Sequence, residues 1–439
     1  VSAAPHAPTP RAPDEPPGRA ALRAYEAEVA RHYRWNLTAH LLYGLLGTTG
    51  WRLITAPTFI PDYAYRLGGS NLAVGALLFA GGVARVASPL AGAAWVAHRP
   101  HVKRTAIVIG SGMRFQVLGM ALAALLLPPA ANVAAFVLLY IGFNVLNGLQ
   151  GVVFGVLMAK VIPLARRGRF VGLRDFAGGS TAALVAWLAG GFLRTLPFPA
   201  SYGVTFVVAF AFTSLGLVCF AAIREPRSPF VDAPRSLAAV IASVPALLRG
   251  DRRFAWYCGA RALGALGLMA APFFIIAAGQ SLPGGSENLA RLSVAYFVAN
   301  TLTNLAWGQV ADRVGFRVVF LLGSLVWLSA LAVALAAPVT LATAVLLFVL
   351  VGAGQGGMQM ASVNMVYEFG DHAGLGVRIA IVSALGELTL AIAPLAGGAI
   401  ADRFSYRALY LTAACFTVVA GAAMARRGAR GSPSGTAAC

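Results

Sequence analysis

The sequence predicts an all-α polytopic membrane protein of twelve transmembrane helices, arranged as two pseudo-symmetric six-helix bundles. Three observations predict it. The chain has 439 residues, 59% of them apolar and 11% charged, whereas a soluble domain is about half apolar and about a quarter charged. So little polar surface cannot cover a water-soluble globule of this size. Apolar stretches of about 18 residues or more recur, the length that crosses a hydrocarbon core about 30 Å thick. Finally, short motifs recur in order about 207 to 216 residues apart. Ala56-Pro57 with Gly68-Gly69-Ser70 answers Ala271-Pro272 with Gly284-Gly285-Ser286, and Gly148-Leu149-Gln150 answers Gly357-Met358-Gln359. Leu188-Ala189-Gly190-Gly191 answers Leu395-Ala396-Gly397-Gly398, and His98-Arg99 answers Asp312-Arg313. One match is chance; four in register mark a duplicated unit.

In chain order, residues 1–18 are rich in proline and polar groups and read as disordered. No apolar signal-peptide core follows in that stretch. Residues 19–36 carry Arg19, Arg23, Glu26, Glu28, Arg31 and Arg34 and read as a short basic helix on the inner membrane face. Together, 1–36 form a cytoplasmic N-terminus. The first bundle covers 37–223, with spans near 37–60, 72–97, 105–127, 132–158, 175–196 and 202–223. A polar connection at 224–253 follows, and the second bundle covers 254–425. Its spans lie near 254–279, 288–311, 317–337, 340–364, 376–398 and 405–425, ahead of a cytoplasmic tail at 426–439. Prolines inside spans are tolerated where neighbouring helices satisfy the freed carbonyls.

The net charge of +19 raises the question of nucleic acid. Its placement answers it. Roughly 25 of the 34 Lys and Arg fall at segment ends on one side and about 5 on the other, the asymmetry that sets topology in a polytopic protein. Both termini and the 224–253 connection are therefore expected in the cytoplasm, in a plasma (inner) membrane, with the lipid bilayer as partner and no nucleic acid. The Asn36-Leu37-Thr38 sequon falls on that inner side and is discounted. Cys219, Cys258, Cys415 and Cys439 form no CxxC pair and read as packing residues. No Walker loop and no HExxH are present, so no cofactor, metal or catalytic residue is expected, and the chain is not read as an enzyme.

Gly308-Gln309-Val310-Ala311-Asp312-Arg313-Val314-Gly315-Phe316-Arg317 joins spans 8 and 9. A glycine for close helix approach is followed by charges that end the span and a tight turn at Gly315. The pattern repeats at Gly398 to Arg407 and, degraded, at Ala94 to Arg104. Twelve spans in two halves, a long basic middle connection and this charged turn resemble the major facilitator superfamily over residues 37–425. The departure is the loop between spans 2 and 3, where Ala94 and His98 stand for the family's glycine and aspartate. The resemblance implies alternating access about a midplane site, with Gly308, Asp312, Arg313, Gly315 and Arg317 as a gating-loop motif at the inner face. It also implies a central cavity lined by spans 1, 4, 7 and 10, and spans 2 and 11 as neighbours.

Charges inside a span are costly and mark function by default. They are Arg52, Arg85, Arg114, Arg261 and Glu387. Glu387, read as the one acid near the centre of a span, is either a proton carrier, a fixed ion-pair partner of Arg85, or a substrate contact. Arg52 shares a helix face with Thr48 and Thr55 and either binds an anionic group in the cavity or pairs with Glu387. Arg261 either reaches the cavity or snorkels to the inner surface. Asn144, Asn147 and Gln150 in span 4, and Gln355, Gln359 and Asn364 in span 10, serve as cavity donors or as glue between helices. Arg174-Asp175 reads as an interfacial cluster opening span 5. Gly148, Gly151, Gly155, Gly352 and Gly356 read as sites of close helix approach.

The expected function is a monomeric secondary transporter of a small organic solute, coupled to protons. Ala393-Pro394-Leu395-Ala396-Gly397-Gly398 resembles a Gly-Pro-xx-Gly-Gly stretch of antiporters, though in span 11 instead of span 5, and inclines the reading towards efflux. Proton-coupled uptake, or a sensor or scaffold that keeps the fold without transport, are the alternatives.

Overall fold

A computed structural model describes residues 17–97, 99, 101–163, 167–227, 245, 247–283, 286–368 and 375–426. The disorder expected at 1–16, most of the 224–253 connection, the tail at 427–439, Cys439 and His98 lie outside the described residues. Among those described, all regular structure is helical. α1 (Pro17–Leu42) passes through a π-helical turn at Tyr43–Gly47 into α2 (Thr49–Thr55) and then α3 (Phe59–Gly68). The first half continues with α4 (Asn71–Ala97), α5 (Lys103–Leu126), α6 (Pro129–Val161), α7 (Arg167–Thr195) and α8 (Ala200–Ala221). The second half has α9 (Arg252–Gly267), a 3-10 turn at Leu268–Ala270, α10 (Ala271–Ser281), α11 (Ser286–Val314) and α12 (Phe316–Ala336). It ends with α13 (Leu341–Asn364), α14 (Leu375–Arg403) and α15 (Tyr406–Arg426).

The leading span of each half is interrupted at its proline. Ala56, just before Pro57, is extended with ψ 148°, as the proline ring demands of its predecessor. Pro272 instead sits in the first turn of α10, where its missing N–H costs nothing. Two boundaries differ from expectation. The basic segment at 19–36 is not a separate helix: no Gly or Pro interrupts residues 19–42, and α1 runs straight through. The first span also ends at Gly68 and not near 60, closed by Gly69 in the left-handed region at φ 70°.

Nine helices among the described residues are long and apolar enough to cross a membrane. The expected spans 37–60, 72–97 and 288–311 fall outside that set. The first is broken into pieces, the second qualifies only as the shorter stretch Asn71–Val86, and the third carries Asn288, Arg291, Asn300 and Asn304. All three lie in a bundle whose other helices supply the apolar surface.

Within each half the helices pack as neighbours, with α4 on α6, α5 on α6 and α8, α11 on α13, and α12 on α13. Two long contacts join the halves: α4 against α14 and α7 against α11. Both depend on glycine. A Cβ at Gly75 or Gly398 would collide with the carbonyl oxygens of Pro394 and Asn71, and one at Gly179 with the Thr301 hydroxyl. Gly151, Gly155 and Gly308 do not serve this role, because a Cβ there would meet nothing within 4 Å.

The two ends of the bundle differ. One end gathers the start of α1, the end of α8 and the start of α9, with Arg224, Arg227, Arg249, Arg252 and Arg253; it is the basic end. There Asn36, buried, exchanges hydrogen bonds of 2.9 and 2.8 Å with the Arg224 backbone, so the discounted sequon is inaccessible. Glu225 accepts from the N–H groups of Val102 (2.7 Å) and Lys103 (2.8 Å) and pairs with Lys160 at 3.1 Å. An anion at the start of a helix satisfies its free donors. Asp251 caps α9 through the N–H groups of Arg253 and Phe254 and binds Arg378 of α14 at 2.5 Å. Burial raises the Asp251 carboxyl, but the Phe254 N–H and the Arg378 guanidinium outweigh it and hold the group below its usual range.

At the opposite end the halves are latched. Asp402 accepts from the N–H of Asn71 (3.1 Å), the Asn71 side chain (2.7 Å) and the N–H of Leu72 (2.7 Å). Tyr406 donates to Asn71 at 3.0 Å, and Gln280 to the Tyr65 hydroxyl at 2.5 Å. Beside the latch, buried Asp62 pairs with Arg66 at 2.9 Å and accepts from Tyr202. Among the described residues, hydrogen bonds between the halves gather at this end.

The charged turn between α11 and α12 behaves otherwise than expected. Gly315 adopts φ 84°, and Arg317 donates to the carbonyls of Met424 (2.8 Å) and Ala425 at the end of α15. Asp312 and Arg313 are exposed and make no hydrogen bond to the first half among the described residues. The turn ties α12 to α15 within one half; the second copy of the pattern, at Asp402, makes the contact between halves.

Asp402→Ala leaves the first N–H groups of α4 without their acceptor. The expected cost is about 1–2 kcal/mol of local stability, seen as faster hydrogen exchange over residues 70–75; unchanged exchange would show that the latch adds nothing. Asp251→Ala is expected to lower stability in detergent by about 1 kcal/mol at neutral pH. Because the folded pKa is depressed, that contribution is complete above the unfolded value and fades as pH falls through the folded one. Denaturation curves of the two proteins should therefore converge in acid.

Candidate functional site

The π-helical turn at Tyr43–Gly47 adds a residue to the helical repeat and resets the face that α2 presents. Thr48 then donates to the Gly44 carbonyl at 2.7 Å, and Arg52 points across to α7. Arg52 Nη2 donates to the Asp175 carbonyl at 3.0 Å and lies 3.7 Å from the Asp175 carboxylate. Gly178 makes room, since a Cβ there would collide with the Thr48 hydroxyl and lie 3.3 Å from Arg52 Nε.

These residues open onto a cavity of about 430 Å³, within the usual range for small-molecule sites. Its walls come from the π turn and α2, α5, α6, α7 and α8, joined by Asn304 of α11 and Gln359 of α13. The cavity is thus lopsided: the first half builds most of it, and the expected span 7 contributes nothing to it. A smaller hollow of about 240 Å³ lies between α10, α12, α13 and α15 and is mostly apolar.

The structure brings together Thr48, Arg52, Asn147, Gln150 and Gln359 on the cavity wall. Asn147 accepts from the Trp51 indole at 3.1 Å. Gln150 and Gln359, the pseudo-symmetric pair, both face the cavity. The other cavity candidates lie elsewhere. Thr55 donates back to the Trp51 carbonyl on its own helix, because a threonine hydroxyl reaches the carbonyl four residues earlier. Asn144 is buried and accepts from Arg85 at 2.9 Å, and Gln355 accepts from the Tyr296 hydroxyl at 3.3 Å. Asn364 donates to the Met360 carbonyl. Arg261 neither reaches the cavity nor snorkels: it is buried, donates to the Ser362 carbonyl at 2.9 Å and packs against Gly386.

Glu387 and Arg85 meet as expected, at 3.5 Å across the α4–α14 contact. Arg52 does not join them; its acid is Asp175. The sequence reading missed Asp175 as a wall residue because it placed the start of the span there. α7 begins at Arg167, two turns earlier, so Asp175 lies inside the helix. Two further carboxylates lie within helices but nearer their ends: Asp175 in α7 and Asp62 in α3. Arg174, beside Asp175 at 3.2 Å, lies over the Phe154 ring at 4.8 Å and lines the same cavity. Arg114 lines it too, buried, with Nε donating to the Thr213 carbonyl at 2.7 Å and Nη1 to the Gly110 carbonyl at 2.6 Å.

Two helical halves, latched at one end and enclosing a polar cavity between helices, form an arrangement found in membrane transporters. Residues 269–437 match the family model of the Major Facilitator Superfamily. The fold extends the likeness over the first half. The nucleoside transporter NupG, in a mutant form, aligns with TM-score 0.67 and 14% identity, covering 89% of this chain and 98% of its own. A D-xylose-proton symporter aligns with TM-score 0.65 and 16% identity, over 90% and 96%. The xylose transporter XylE from E. coli, in a partially occluded inward-open conformation, aligns with TM-score 0.61 and 14% identity, over 90% and 98%. By sequence, no curated protein matches the chain. By sequence the likeness to that superfamily covers residues 269–437; over the whole chain it is a likeness of fold.

In a cysteine-free background, Asn147→Cys and Gln359→Cys are expected to react with a hydrophilic maleimide, since both side chains line the cavity. Ser324→Cys, buried in α12, should not. Equal labelling at all three positions would remove the cavity from the account.

Proposed function

We propose that the protein is a secondary active transporter that moves a small organic solute across the plasma membrane by alternating access. One observation supports this above the rest: the halves are latched at the Asp402 end, while the cavity lies towards the basic end. That is the arrangement of a transporter whose site communicates with one side at a time. The positive-inside asymmetry makes the basic end cytoplasmic. The turn at Gly308, Asp312, Arg313, Gly315 and Arg317 then moves with the second half as a rigid piece, and the Asp402 latch opens when the halves rock. The direction we favour is efflux.

Coupling is assigned to Glu387 with Arg85. The pair spans the two halves, and Glu387 is only half-buried, so protons can reach it. Protonating Glu387 cancels the charge that attracts Arg85 and loosens α4 from α14. Binding of solute and proton would each bias the same rocking equilibrium.

The test uses proteoliposomes that enclose a pH-sensitive dye and are challenged with a solute panel. Wild-type protein should show solute-driven pH changes, and Glu387→Gln should abolish them while downhill solute movement persists. Gradient-driven transport at the full rate in the variant would end the proton role. Solute binding without any translocation would make the protein a sensor.

A further inference from the structure

The cavity wall is strongly cationic. Among its described residues are Arg52, Arg114 and Arg174 against a single acid, Asp175. Arg52 and Arg174 share that acid; Arg114 rests on backbone carbonyls and has no carboxylate partner among the described residues. Each arginine also has a buried nitrogen without a hydrogen-bond partner: Nε of Arg52, Nη2 of Arg114 and Nε of Arg174. Gln150, 8% exposed, has an unpaired Oε1 on the same wall. A cation held inside a membrane bundle needs an anion or water to offset its desolvation. Here the fixed residues leave the wall short of negative charge.

Geometry makes the excess a site. Arg114 and Gln150 stand side by side on the wall, both reaching Gly110, where Arg114 Nη1 is tied to the Gly110 carbonyl. Arg114 Nη2 and Gln150 Oε1 are left without a hydrogen-bond partner. Apolar surface stands beside the charges, with Phe154 under Arg174 and with Phe143 and Trp51 on the same wall, while the Tyr43 hydroxyl faces Arg114. Guanidinium groups grip carboxylate and phosphate oxygens with paired N–H donors, and aromatic faces take the organic remainder.

We propose that this cavity is a binding site for a small organic anion, a carboxylate or phosphate attached to an apolar body. Arg114 and Arg52 hold the anionic head, Gln150 supplies a further donor and an acceptor for a hydroxyl on the ligand, and Phe154 contacts its apolar part. Asp175 keeps Arg52 and Arg174 in place in the empty state. The proposal rests on the transporter reading only for the idea that the bound solute is carried; the binding itself is independent of it.

The experiment is a thermal-shift titration of the detergent-solubilised full chain at constant ionic strength. The probes are benzoate, 4-hydroxybenzoate and phenyl phosphate, with benzamide, 4-hydroxybenzamide and benzylammonium as neutral and cationic counterparts. A ligand of the folded state raises the melting temperature. The anions should stabilise and their counterparts should not. Arg114→Gln should weaken the apparent affinity for the anions by about tenfold or more, the effect of losing charge-assisted hydrogen bonds. Arg52→Gln is the second variant should Arg114→Gln fail to fold, and should weaken it likewise. Absence of an anion-selective shift, or a shift of equal size in the folded arginine variants, overturns the proposal. Selective binding of benzamide would do so while leaving the transporter reading intact, whereas anion binding without translocation in proteoliposomes would do the reverse.

Discussion

A charge inside a bundle that lipid surrounds has to be answered, and the ways this chain answers its charges organise the molecule. Arg85 and Glu387 answer each other across the two halves. Asp62 is answered by Arg66 and by the Tyr202 hydroxyl next to the latch. Arg261 rests on the Ser362 carbonyl and stays within the second half. Each of these is satisfied by fixed groups, and each fastens one helix to another. The cavity differs because its cations outnumber its acids. Removing one partner of a buried pair costs several kcal/mol, so such an imbalance persists only where solvent or a ligand enters.

The same constraint explains the contrast between the ends. At the latch, polar groups are satisfied by protein: Asp402 takes the free N–H groups of α4, and glycines bring α4 and α14 close enough for that contact. Close approach excludes water, so every donor there needs a protein acceptor. At the basic end, Glu225 and Asp251 perform the corresponding service for α5 and α9, but each does so within its own half. The halves are therefore fastened to one another at one end and self-sufficient at the other. The rocking proposed for the halves would need that difference: one set of contacts between halves would break while each half remains whole.

Composition and the in-order repeats carried the class, the division into halves and most span positions, because lipid imposes length and hydropathy on each helix independently of its neighbours. Where helices end was less legible. Nothing local separates the 19–36 segment from the first span, and the start of α7 at Arg167 is hidden in a run of arginines that reads as a loop. That error concealed Asp175. Pairings between distant helices were legible only where the resembled fold makes them neighbours, as for Arg85 with Glu387. Arg52 with Asp175 depends on the π turn before α2, which shifts the face of the helix. The role of Asp402 was missed for a related reason. Its motif copy resembles the one at Asp312, but chain direction alternates with each span, so the two copies fall at opposite ends.

The cavity's charge also bears on direction. A fixed cationic wall raises the local concentration of anions and repels cations before any specific contact forms. In the orientation proposed above, with the basic end in the cytoplasm, the cavity would recruit from a compartment held at negative potential. A monoanion that leaves such a cell gains about 2.3 kcal/mol per 100 mV, about fiftyfold in its equilibrium distribution. Outward movement of an anion therefore needs little or no help from a proton, whereas inward movement must be driven against that potential. A proton that enters through Glu387 in exchange for an outgoing anion also moves positive charge inward, so the proposed coupling and the proposed efflux draw on the same potential. The cationic wall would select the anion, and the Arg85–Glu387 pair would add the proton's drive to its exit.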